Sequence, residues 1–327
     1  MPQIDWPLEQ LKTYRGKSPK PADWQAYWDR ALKELEAADP ACTYEKDPVT
    51  VPGVECGHLW FTGVGGARVH AQLMRPTGFA GPRPAVLLFH GYEGHSHDWY
   101  EKLPFAQSGI AVAALDVRGQ AGLSQDTLQI TGSTFRGHIV RGVDEKDPDK
   151  LFFRNVYLDT VQLARIVAGL EFVDESRMAS VGFSQGGALA IACAALSGQM
   201  GRTVAGYPFL ADFCRVRELD YPNPAYDELK LYFRLRDPRH EKENGFFERL
   251  GYLDTQWMAE KLTAPVLFYT GLADMICPPS CQFAVYNRIT APKRQVIYPD
   301  YGHELLPGAW QEILLWLLEW AAGGQTP

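Results

Sequence analysis

Apolar positions along the chain follow two alternating rhythms. Between residues 23 and 38, Trp24, Trp28, Leu32 and Leu35 recur at three- and four-residue spacing. That spacing predicts an amphipathic helix, with Asp23 as its candidate N-cap. Residues 54–75 alternate apolar and polar about Gly65-Gly66, which predicts a β-hairpin. Short runs that are apolar throughout follow at 84–90 and 110–117, the pattern of strands covered on both faces. Phe153, Val156, Tyr157, Thr160, Ala164, Val167 and Leu170 mark one long amphipathic helix. A strand at 178–183 leads into a small-residue helix at 186–196. Strands at 203–207, 265–270 and 294–298 and an apolar helix at 310–322 close the series. Strands alternating with helices predict an α/β protein with a mostly parallel sheet and helices on both faces.

Two segments break the rhythm. Residues 119–150 are rich in Gly, Thr and charge without a period, and loops of that length are usually functional or contact other chains. Residues 209–260 hold Asp, Arg, Tyr and Phe in helical patches and read as an insertion over the sheet. Length alone would suggest roughly two domains at ~150 residues each. The continuous strand–helix series instead predicts one domain over 1–327, with an N-terminal helix-and-hairpin extension over about 1–78.

Composition narrows the function classes. With 46% hydrophobic and 22% charged residues the chain is an ordinary globular protein, not a disordered one. A net charge of −7, with its basic residues dispersed, argues against nucleic acid as the main partner. No run reaches the ~18 apolar residues of a membrane span. The first residues lack the features of a secretory signal, so a cytoplasmic location is expected. Six cysteines scattered between Cys42 and Cys281, without metal-type spacing, read as reduced thiols.

The chemistry concentrates at Gly182-Phe183-Ser184-Gln185-Gly186, a Gly-x-Ser-x-Gly sequence between an apolar strand and a helix. A serine nucleophile must project from a sharp turn, and glycines two residues to either side let neighbouring backbone pass without a Cβ. The helix that follows aims its first N–H groups, that of Gln185 foremost, at developing negative charge. Serine needs a base, and the base an acid to fix its tautomer, in the chain order Ser, acid, His for this elbow. Asp274, at the end of one strand, and His303, just past the last, fit that order. Asp300 competes as the acid but lies close enough to His303 to read as a turn former. His90-Gly91-Tyr92-Glu93-Gly94 follows an early strand, and the Tyr92 N–H is the candidate second oxyanion donor. A rival reading gathers His90, His95, His97 and Asp98 into a metal site, but their spacing fits no binuclear pattern and no further ligand completes it. Solvated loop histidines are the simpler reading, and neither metal nor cofactor is expected.

Arg118-Gly119-Gln120, Gly182-x-Ser184-Gln185-Gly186 and His303-Glu304 together resemble the three signatures of carbohydrate esterase family seven, the acetyl xylan esterases and cephalosporin C deacetylases. The resemblance extends to Leu8-Glu9-Gln10-Leu11-Lys12, to Pro208-Phe209-Leu210 and to Met275-Ile276-Cys277-Pro278-Pro279-Ser280 beside the candidate acid. It implies an α/β-hydrolase fold with Ser184 as nucleophile, His303 as base, Asp274 as acid and the Tyr92 and Gln185 N–H groups as oxyanion donors. Arg118, Gly119 and Gln120 would brace loops near the site, and Glu304 matches the motif without a physical role of its own. The resemblance further implies a cofactor-free serine esterase removing acetyl groups from small sugars such as xylo-oligosaccharides, and from cephalosporin C. It also implies a homohexamer with its active sites on an inner cavity and residues 119–150 in the interface region. Alternatives are another esterase, lipase or peptidase of the same fold, or a catalytically silent binding protein.

Overall fold

The computed structural model describes residues 4–131 and 137–323; residues 132–136 of the expected interface loop lie outside the described residues. In chain order the first elements are α1 (Leu8–Leu11), α2 (Trp24–Ala37), β1 (Thr43–Val51), β2 (Val54–Thr62), β3 (Arg68–Pro76), β4 (Arg83–Phe89), α3 (Leu103–Gln107) and β5 (Ala111–Leu115). Next come α4 (Phe152–Ala168), β6 (Val173–Phe183), α5 (Gln185–Ser197), β7 (Arg202–Gly206), α6 (Phe213–Leu219), α7 (Asp227–Leu235), α8 (Glu243–Leu250) and α9 (Thr255–Ala259). The chain closes with β8 (Val266–Gly271), α10 (Pro279–Tyr286), β9 (Lys293–Tyr298) and α11 (Ala309–Ala321).

The strands form one nine-stranded sheet in the order β1-β2-β3-β5-β4-β6-β7-β8-β9. Pairings from β1 through β3 to β5 are antiparallel, and those from β5 through β4 to β9 are parallel. The chain leaves β4 toward one side of the sheet, to β5, and leaves β6 toward the other, to β7. The carboxyl ends of β4 and β6 therefore flank a crevice at a topological switch point, where open α/β sheets bind ligands. Phe89 pairs with Gly182 across that point, so the loops carrying Tyr92 and Ser184 start side by side.

The predicted strands and helices are present, with three differences. β1 was not foreseen: all but two of its residues are exposed, it contains Pro48, and it forms the sheet edge, where polar and charged residues are tolerated. Asp23 makes no capping bond to α2; its carboxylate accepts the Tyr252 hydroxyl at 2.5 Å instead. α4 is not amphipathic in its burial, because Arg154, Asn155, Asp159 and Gln162 on its polar side are buried too. It is covered on a second side by α2, where Trp28 packs 5.8 Å from Tyr157 and Glu34 meets Arg154 at 2.5 Å.

Buried polar side chains hold the loops at the carboxyl end of the sheet. Arg118 grips Asp159 of α4 through two bonds of 2.6 Å and donates to the Val64 carbonyl at 3.0 Å. Gly63 must be glycine beside them, since a Cβ there would overlap both charged groups. A polar row runs from Asp47 through His58 and His70 to Asp116, with successive contacts of 2.8, 2.8 and 2.7 Å. Asp116 also accepts the Ser96 N–H at 2.7 Å and the Leu123 N–H at 2.9 Å, tying the loop after β4 to the loop after β5. Among the described residues no helix is long and apolar enough to cross a membrane.

Arg118→Met keeps most of the side-chain volume but strands the Asp159 carboxylate in the core. The expected loss is about 3–5 kcal/mol of stability, read as a lower urea midpoint at unchanged m-value. Replacing Arg118 and Asp159 together by Met and Leu should recover most of that loss; an equally unstable double variant would contradict the ion-pair account.

Candidate active site

Ser184 sits at the junction of β6 and α5 with φ 58° and ψ −123°, a backbone conformation that a non-glycine residue holds only when its surroundings enforce it. Its N–H donates to the Gly206 carbonyl at 2.9 Å and its carbonyl accepts from the Phe209 N–H at 3.0 Å. A Cβ on Gly182 would overlap the backbone of Gly186, and one on Gly186 would overlap the Phe89 carbonyl oxygen. Gly182 is thus fixed by a contact inside the elbow, and Gly186 by contact of the elbow with the end of β4.

The hydroxyl meets the other two predicted side chains. His303 Nε2 lies 3.0 Å from Ser184 Oγ, and His303 Nδ1 lies 2.9 Å from Asp274 Oδ2. Asp274 is fully buried, and its other oxygen accepts the N–H groups of Ile276 and Cys277, each at 2.8 Å. With Nδ1–H donating to this carboxylate, Nε2 carries the lone pair and faces the serine, the tautomer a base requires. Asp300 is exposed in the turn after β9. Glu304 has a role that the sequence did not disclose: its carboxylate accepts the Gly302 N–H at 2.9 Å and its carbonyl accepts the Tyr207 hydroxyl at 2.9 Å. Both bonds shape the turn that presents His303.

Among the described residues, neither the Tyr92 N–H nor the Gln185 N–H donates to another protein group. The Arg-Gly-Gln triplet is built into this region. Gln120 and Gln185 exchange amide hydrogen bonds of 2.7 and 3.1 Å, and Gln185 Nε2 lies 3.4 Å from the carbonyl oxygens of His90 and Gly91. The Gln185 side chain therefore fixes the loop leading to Tyr92 while its backbone N–H stays free. Gly119, with φ +68°, takes the left-handed turn between the two anchoring residues.

His90 is not a solvated loop histidine. It is buried, its Nε2 accepts the Val117 N–H at 3.0 Å, and its Nδ1 donates to the Gly91 carbonyl at 2.7 Å. Burial pushes its pKa down to about 4. His95, His97 and Asp98 are exposed. Asp274, Cys277 and His303 do approach one another closely enough to share an ion. Their chemistry fits a different role, because burial pushes the Cys277 thiol well above its ordinary pKa and keeps it a neutral neighbour of Ser184. Tyr207, which sequence reasoning passed over, lays its ring 4.8 Å from the His303 ring. Ser184 and His303 open into a cavity of about 460 Å³ walled by Tyr92, Phe183, Tyr207, Pro224 and Ile276. A largely apolar cavity of about 550 Å³ adjoins it behind Phe183 and Tyr207.

A mostly parallel sheet with a serine at a strand-to-helix elbow, and an imidazole from the loop after the last strand against it, makes this protein an α/β-hydrolase. The match to known proteins is more specific. Residues 1–320 match the acetyl xylan esterase (AXE1) family. The structure superposes on acetyl xylan esterase 1 from Thermoanaerobacterium sp. JW/SL YS485 with a TM-score of 0.94, at 46% identity, covering 96% of this chain and 99% of that one. Against the acetyl xylan esterase from Paenibacillus sp. R4 the TM-score is 0.91 at 32% identity, over 95% and 99% of the two chains. Acetyl esterase Axe7A of Xylanibacter ruminicola is 26% identical over 96% of this chain and 70% of its own length. The chain belongs to the acetyl xylan esterase family and is a hydrolytic esterase.

The buried His90 makes the fold acid-sensitive. In the unfolded chain it binds a proton near pH 6.5, but in the folded chain only near pH 4, so the unfolded state holds more protons between these values. Its contribution to stability is present above about pH 6.5 and is lost as pH falls toward 4. In urea titrations across that range, His90→Gln should flatten the decline; an unchanged pH slope would count against this assignment.

Proposed function

We propose that the protein is a serine esterase that removes acetyl groups from small acetylated carbohydrates, acetylated xylo-oligosaccharides foremost, through an acetyl-enzyme. The observation that carries this reading is the hydrogen-bonded series Asp274–His303–Ser184 at a strained elbow. Ser184 Oγ attacks the acetyl carbonyl carbon as His303 Nε2 takes its proton. The carbonyl oxygen becomes an oxyanion held by the N–H groups of Tyr92 and Gln185, and Asp274 stabilises the imidazolium. Collapse expels the sugar oxygen, which leaves with the proton from His303. Water then attacks the acetyl-enzyme by the same route and frees acetate and Ser184. Every proton is carried by His303, so the cycle needs no cofactor.

The size of the cavity supports small substrates over polymeric xylan. Phe183, Tyr207 and Ile276 wall the space in front of Ser184, which suits a short acyl group. We extend the reading to cephalosporin C, whose acetyl ester presents the same carbonyl to the serine. The homohexameric assembly is proposed on the family resemblance.

Ser184→Ala should lower kcat on p-nitrophenyl acetate by on the order of 10⁴- to 10⁶-fold with the fold intact. Across p-nitrophenyl esters of increasing chain length, kcat/KM should fall beyond acetate, and acetylated xylo-oligosaccharides and cephalosporin C should release acetate. Turnover that climbs with acyl length, or cleavage of a peptide amide, would replace this reading with a lipase or a peptidase. Near-normal turnover by the alanine variant would remove Ser184 from the mechanism.

A further inference from the structure

Glu228, in the first turn of α7, is 2% exposed, and among the described residues no cation pairs with it. Its two oxygens have separate tasks. Oε1 accepts the Tyr92 hydroxyl at 3.1 Å, and Oε2 accepts the Val140 N–H at 2.9 Å. The same Tyr92 oxygen accepts the His138 N–H at 2.6 Å. One carboxylate thus joins three stretches that are remote in sequence: the loop after β4, residues 138–140, and the start of α7. Gly137 is required where they meet, because its φ is +97° and a Cβ would overlap Glu228.

The junction borders the reaction site on two sides. Pro224 and Ala225, just before α7, line the cavity of Ser184, and Asn223 donates to the Ile276 carbonyl at 2.7 Å beside Asp274. Tyr92 itself hangs by its side chain. Its ring packs 5.1 Å from Phe209 and 6.3 Å from Phe153, and its hydroxyl is held at both lone pair and proton by the contacts above. The backbone N–H of Tyr92 therefore points where the side-chain anchor directs it. Catalytic hydrogen bonds tolerate little displacement, so an anchor of this kind bears on rate rather than on substrate binding.

We propose that Glu228 is a positioning residue for the oxyanion-binding loop, acting through the Tyr92 hydroxyl to hold the Tyr92 N–H on the developing oxyanion. The inference rests on the serine-esterase reading above. Each carboxyl oxygen of Glu228 accepts from a different donor, one from Tyr92 and the other from Val140. The amide of Glu228→Gln can accept from Tyr92 or from Val140, but its nitrogen then faces the other donor.

The test compares wild type, Glu228→Gln, Tyr92→Phe, the double variant and Ser184→Ala on p-nitrophenyl acetate. The kcat is counted per site titrated with a fluorophosphonate, or per mole of protein for Ser184→Ala, and the melting temperature is followed in parallel. Each single variant should lose roughly 10- to 100-fold in kcat with KM little changed, less than the loss from deleting an oxyanion donor outright. The double variant should be no worse than the weaker single one, because both act on one anchor. A purely structural role for Glu228 would lower the melting temperature and the titrated fraction but leave kcat per site unchanged, and that result overturns the proposal. Losses that multiply in the double variant overturn it as well. Should Glu228→Gln fail to fold, Tyr92→Phe decides alone, and a wild-type kcat there is fatal to the idea. Turnover by Ser184→Ala would instead signal failure of the serine-esterase reading, which separates the two outcomes.

Discussion

The structure around the site depends on one close approach, that of the Gly186 backbone to the Phe89 carbonyl at the end of β4. A side chain at residue 186 would push α5 away from the sheet, and the elbow could not close. With glycine there, the chain turns from β6 into α5 within a single residue, and Ser184 takes a conformation costing on the order of 1–3 kcal/mol. That cost is offset because Ser184 is held at both backbone groups, by Gly206 at the end of β7 and by Phe209 just beyond it. The same closure brings the β4 loop beside the first turn of α5, where Gln185 Nε2 lies 3.4 Å from the carbonyl oxygens of His90 and Gly91. The Ser184 hydroxyl and the proposed oxyanion donors are thus brought together by a packing requirement of the sheet.

The loops that complete the site are held by buried polar side chains that take backbone groups as partners. Asp274 accepts from Ile276 and Cys277, Asp116 accepts from Ser96 and Leu123, and Arg118 donates to Val64, while the exposed Glu304 accepts from Gly302. Apolar packing alone would leave such loops free to slide, since it is non-directional. Directional bonds to backbone fix the path of the chain. An unmade buried bond is costly, so each loop has one satisfied arrangement. The polar side of α4 has the same explanation: Asp159 is buried because Arg118 is, and together they fasten the loop after β5 to the helix behind it.

Which of these features could be read from sequence follows from how local their causes are. The elbow was legible because its glycines and serine are consecutive and flanked by an apolar strand and a small-residue helix. Asp274 and His303 were legible because the first closely follows an apolar strand and the second lies just past the last strand. β1 was not, since an exposed edge strand containing Pro48 has no hydrophobic alternation to reveal it. His90 read as one of several loop histidines because its partners, the backbone groups of Gly91 and Val117, carry no side-chain signature. Asp23 read as a cap because the tyrosine that claims its carboxylate lies 229 positions away. Tyr207 and Glu228 escaped notice for the same reason, their partners lying 97 and 136 positions off. Sequence patterns disclose chemistry that is built within a few residues, and they miss anchors made only by the tertiary fold.

The wall between the two cavities shows how substrate range and catalytic geometry are coupled. Phe183 and Tyr207 form it, with ring centroids 5.3 Å apart, and Phe183 reaches the same distance to Trp310 of α11. Tyr207 also packs on the His303 ring and donates to the Glu304 carbonyl, so trimming it would enlarge the space and release the turn that carries His303. Phe183 makes only ring contacts there, because its position in the elbow is set by backbone pairing with Gly206. The two residues bound the same space but differ in what else depends on them. Of the two, Phe183 is therefore the residue whose trimming would widen the space toward longer acyl groups while leaving the His303 geometry in place.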